Sequence, residues 1–150
     1  MKAVQLKYTK WLEPDEMHEA SKEWLSELNF VKDEHLFFED LVTKFTSQLI
    51  ALDVFSDTKE IIDAINRSQK QNNALIEAVM IHENELQIMV DGIDQLDEEK
   101  AYVRKHTDLI MAINEFLKEY KGLKSQLFDI IKKIKKEDKD RHLLDRKKIS

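Results

Sequence analysis

The sequence predicts an all-α fold, an up-down-up antiparallel bundle of three long helices with coiled-coil-like packing. Three observations lead there. First, apolar and small polar residues follow unbroken three- and four-residue steps along three stretches. Trp24, Leu28, Val31, His35, Phe38, Val42, Phe45, Leu49 and Leu52 form the first seam. The second runs Ile61, Ile65, Ser68, Asn72, Leu75, Val79, His82, Leu86, Met89, Ile93 and Leu96. The third runs Tyr102, His106, Leu109, Ile113, Phe116, Tyr120, Leu123, Leu127, Ile130 and Ile134. Such spacing keeps each set on one side of a helix and favours near-parallel packing. Second, 2 Gly and 1 Pro are too few for a turn-rich β protein. Third, 36% charged with 42% hydrophobic residues suits long helices with wet outer faces.

The elements follow in order, within a single domain over residues 1–150. Residues 1–13 read as an arm in which Val4, Leu6 and Tyr8 alternate with polar residues. Pro14, with Asp15 and Glu16 behind it, reads as the start of helix 1 over 14–52. Asp57 and Glu60 resemble a capping box that opens helix 2 over 57–96. Asp94 and Asp97 are both candidate N-caps for helix 3 over 97–140, with Glu98 and Glu99 in its first turn. Residues 141–150 read as a frayed basic tail. Gly122 lies inside helix 3, as a close-packing point or a tolerated weak spot. A four-helix bundle stays open if Asn29–Asp33 breaks helix 1.

Charge and composition exclude several functions. Cysteine is absent, so no thiolate metal site or cysteine nucleophile exists, and a reducing cytoplasm is the expected location. The N-terminus MKAVQLKYTKWLEP has no apolar core of signal-peptide length, and no stretch reaches the ~18 apolar residues of a membrane span. A net charge of −6 argues against nucleic acid. Residues 132–148 nevertheless hold 9 basic and 4 acidic residues, while 53–100 hold 12 acidic and 4 basic. The basic segment reads as a solvated last helix favoured by the negative end of the helix dipole. Contact with an acidic or anionic partner is its functional alternative.

Chemistry has few candidates. His35, His82 and His106 fall on core seams. Only His35 has a partner at ligand spacing, Glu39 four residues on, as hemerythrin- or ferritin-like bundles require. Folding the chain back near residues 55 and 97 places the three histidines at separate heights, roughly 10 Å apart. One metal could not share them, and each would occupy its own polar layer that fixes register. No P-loop, GxGxxG, GxSxG or HExxH occurs. Paired acids such as Asp33-Glu34 read as solvated faces or helix starts. No enzyme activity, metal or cofactor is therefore expected.

Helix 2 has a broader apolar face than its seam needs. Ile62, Ile76 and Val90 lie on one flank, and Ala74, Ile81 and Ile88 on the other. Either two neighbouring helices cover both flanks, or Ala74, Met80, Ile81 and Ile88 form the interface of a homodimer. Glu77, Glu85 and Asp91 would then rim the patch.

Residues 23–42, EWLSELNFVKDEHLFFEDLV, carry Trp24, Lys32, Asp33, Glu34, Phe37, Phe38 and Leu41. In this pattern the segment resembles the first helix of small uncharacterised bacterial all-helical proteins. That group has no established activity to carry over. The resemblance implies a stand-alone bacterial bundle. The expected role is non-enzymatic, through protein binding or self-association, with a metal-binding bundle using His35 and Glu39 as the alternative.

Overall fold

In the computed structural model, residues 13–45, 47–48, 55–91 and 96–149 are described. Three helices form an all-α bundle: α1 (Pro14–Lys44), α2 (Phe55–Asp91) and α3 (Leu96–Ile149). The Asn29–Asp33 stretch is continuous helix, so α1 is not split. Val4, Leu6 and Tyr8 of the expected arm lie outside the described residues. Among the described residues, no helix is long and apolar enough to cross a membrane.

The chain's own local chemistry sets the helix ends. The Met17 amide donates to the Glu13 carbonyl at 3.1 Å, which starts the ladder with Pro14 in the first turn. Asp15 and Glu16 sit there, beside the positive end of the helix dipole. Helix α1 ends at Lys44 rather than running unbroken to 52. Thr43 Oγ1 donates back to the Glu39 carbonyl at 2.9 Å, a contact that competes with the backbone ladder. Residues 47–48 are helical again, and 49–54 lie outside the described residues. Helix α2 starts at Phe55, so Asp57 is its third residue rather than its N-cap. Helix α3 starts at Leu96, which puts Asp97 in the first turn, while Asp94 lies outside the described residues. The tail expected to fray from 141 stays helical to Ile149. No Gly or Pro follows Gly122, so nothing in 141–149 breaks the ladder.

Contacts group the chain into two compact units, each drawing on all three helices. Unit 1 comprises Met1–Asp33 and Lys70–Leu117; unit 2 comprises Glu34–Gln69 and Lys118–Ser150. In unit 1, Asn72 Nδ2 donates to the Leu28 carbonyl at 3.0 Å, and His18 bonds Glu83. Partners on α2 thus descend as α1 ascends, so the two helices are antiparallel. The pairs His82–His106 and Glu85–Lys105 show the same for α2 and α3. In unit 2, His35 of α1 meets Ser68 of α2, and Phe38 of α1 meets Phe128 of α3.

The buried residues trace the seams. Leu28, Val31, Phe38, Ile65, Val79, Leu86, Ile113, Phe116, Leu127 and Ile134 are all buried seam positions. Met17 and Ser21 continue the first seam by the same steps toward the N-terminus. Met17 joins Leu86, Met89 and Tyr102 in a cluster closed by Val103.

Gly122 is not a close-packing point. A Cβ added there would meet nothing within 4 Å. Gly122→Ala is therefore expected to stabilise the protein by about 1 kcal/mol, from helix propensity and a less free unfolded chain. Thermal unfolding should shift up by roughly 2–4 °C; a downward shift would contradict the open surroundings of this glycine.

Candidate functional site: a polar core layer beneath an α2–α3 groove

The three seam histidines separate into two settings. In unit 2, His35 Nε2 lies 2.9 Å from Ser68 Oγ, and its ring packs 5.0 Å from that of Tyr120. Glu39 is half-buried one helical turn further on. Among the described residues, no group of three or more His, Cys, Asp or Glu could hold a metal ion. The helix spacing of His35 and Glu39 thus gains no third ligand from α2 or α3 there.

In unit 1, His82 and His106 share one layer rather than occupying separate ones. His82 Nε2 lies 2.9 Å from His106 Nδ1, so one imidazole donates and the other accepts. This corrects the calculated axial spacing. The register of α2 against α3 differs by six residues from the one that a fold-back at 97 gives, which brings His106 from the height of residue 88 to that of His82. The His82 ring stacks on Tyr102 at 4.0 Å and 4°, and Trp24 packs 4.7 Å from His106.

Burial governs the charge state of this layer. Desolvation, and after it the neighbouring His82, together push His106 down to about 4. Desolvation also lowers His82, against the opposing fields of Glu85 and Glu83. The Tyr102 hydroxyl is pushed up by burial and by the same two carboxylates. All three are neutral at pH 7. The layer specifies register at some cost in stability, because seven-residue repeats alone permit slippage.

Glu34, beside Asp33 in a pair that the sequence places on a solvated face, is a half-buried acceptor in unit 2. Tyr120 donates its hydroxyl to Glu34 Oε1 at 3.0 Å, and Lys124 Nζ donates to Oε2 at 3.2 Å. Its position beside His35 on the seam and the one-turn spacing of Tyr120 and Lys124 were the available signals.

Above the His82–Tyr102 stack, α2 and α3 leave an open groove in unit 1. It has two depressions, of ≈ 430 and ≈ 250 Å³. His82 lines the larger and Tyr102 the smaller; Glu85 and Lys105 line both. Lys105 Nζ and Glu85 Oε2 are 3.3 Å apart across the groove. Ile81 and Ile88 border the groove at 51% and 72% exposure. Met80 is also exposed, at 55%, as is Ala74. Sequence reasoning found these α2 residues but missed the α3 wall of Ala101, Lys105, Asp108 and Ala112. That wall carries no hydrophobic signal; only its heptad spacing could have revealed it.

Comparison with protein-family models, curated proteins and solved structures finds no match for this chain.

Proposed function

We propose that this protein acts by binding protein, as a non-enzymatic helical bundle that self-associates through the outer flank of α2. The exposure of Ile81 and Ile88, seven residues apart beside the groove, carries this reading. Two β-branched side chains at that spacing lie on one stripe of a helix, where water contact is costly and a partner surface relieves it. Four such isoleucines, two from each copy, contribute roughly 4–8 kcal/mol when covered. That is comparable with the low end of the ~4–15 kcal/mol lost in restricting two free molecules. The expected dimer is therefore weak and depends on the groove's remaining contacts.

Sedimentation equilibrium tests the reading. Wild type should dimerise at tens of micromolar, and Ile81→Glu/Ile88→Glu should be a folded monomer. A monomeric wild type would refute self-association. A variant that unfolds would assign the isoleucines to the core instead.

A further inference from the structure

The groove is built from two heptad rows. On α2 the row is Ala78, Ile81, Glu85 and Ile88; on α3 it is Ala101, Lys105, Asp108 and Ala112. Each residue directly precedes a core-seam residue: Val79, His82, Leu86 and Met89 on α2, then Tyr102, His106, Leu109 and Ile113 on α3. The two helices thus pack into the core with one seam and turn a second, parallel seam outward. All eight residues of that outer seam are exposed or half-buried. Coiled-coil packing uses such rows to seat the side chains of another helix.

Resting on the self-association reading, we propose that this outer seam is self-complementary and receives the same seam of a second copy about a two-fold axis. The axis crosses α3 between His106 and Thr107 and α2 near Glu83. An axis perpendicular to the helices lays each helix antiparallel on its own counterpart, so residue i meets j and j meets i. On α3 it sets Lys105 opposite the second copy's Asp108, and Asp108 opposite its Lys105. Ala101 then faces Ala112, and these small side chains let the helices approach closely at both ends.

The height of the axis on α2 is fixed independently. The His82–His106 bond and the Glu85–Lys105 pair put residue 83 of α2 level with residues 105–107 of α3. About that level, Ile88 meets Ala78 and Ile81 meets Glu85 of the second copy. Bulk falls on a small residue, and Ile81 packs along an aliphatic stem whose carboxylate stays with Lys105. Placed about this axis, opposite charges and small residues fall on one another along α3, and bulk falls on a small residue along α2. A foreign helix would have to supply that complement, whereas a second copy already carries it.

Charge exchange tests the seam. Asp108→Lys leaves Lys105 facing a lysine in both halves of its dimer, and Lys105→Glu leaves Asp108 facing a glutamate. Both side chains are exposed, so both variants should keep the wild-type far-ultraviolet circular dichroism. Each alone should dimerise about tenfold more weakly than wild type, as expected when two ion pairs become two repulsions. Mixed in equal amounts, they pair lysine with acid at every position. The mixture should recover most of the wild-type affinity in sedimentation equilibrium. If wild type dimerises and the single variants do so just as tightly, or if mixing recovers nothing, the seam is overturned and self-association through another surface remains. A monomeric wild type at tens of micromolar overturns both.

Discussion

Phe38→Ala is expected to cost about 3–5 kcal/mol, the range for emptying a buried aromatic site. Phe38 is among the largest fully enclosed side chains of α1. Its ring meets Phe128 edge-on at 5.8 Å and lies 6.4 Å from Tyr120, so truncation removes contacts with α3 as well as burial. Neighbouring Phe37, whose ring lies 6.0 Å from that of Phe38, is exposed. Phe37→Ala should therefore cost less than about 1 kcal/mol. Urea unfolding of both variants checks the contrast, with the slope held constant so that the midpoint reports stability. Equal losses would mean that the first seam is mis-phased by one residue.

That phase was legible because burial repeats with the helix period. Leu28, Val31, His35 and Phe38 are buried as the steps require, Val42 and Phe45 are half-buried, Leu49 and Leu52 lie outside the described residues, and the buried row starts at Met17 rather than at Trp24. Axial height was less legible. A heptad row looks the same after a shift of seven residues, so its level depends on where the chain turns back. A register error of six residues between α2 and α3 separated His82 from His106, although the structure bonds them. Asn72 shows how the chain resolves this ambiguity, since its amide on the Leu28 carbonyl satisfies a buried donor at one register. The α2 half of the groove was legible through Ile81 and Ile88. Its α3 half was not, because alanine, lysine and aspartate on a helix surface look like ordinary solvated positions.

Acid should destabilise the protein through the His82–His106 pair, beyond the effect of its carboxylates. Both imidazoles are pushed below the ordinary histidine value, His106 to about 4. The unfolded chain, near 6.5, binds protons first as pH falls. Stability is therefore full above about pH 6.5 and is lost as pH drops toward 4. The loss from His106 approaches about 3 kcal/mol at the bottom of that window. Geometry gives the cause. The pair already uses the facing nitrogens in one hydrogen bond, and His106 Nε2 is buried without an acceptor among the described residues. Glu83 and Glu85 on α2 favour charge on His82, Lys105 on α3 opposes it, and α1 contributes the uncharged Trp24 ring against His106. His18 on α1 already holds Glu83. Denaturation at successive pH values, wild type beside His106→Phe, isolates the effect because the carboxylates titrate in both. The wild-type curve should fall more steeply between pH 6.5 and 4, by about 3 kcal/mol in total. Parallel curves would show that His106 gains its proton in the folded chain as readily as in the unfolded one.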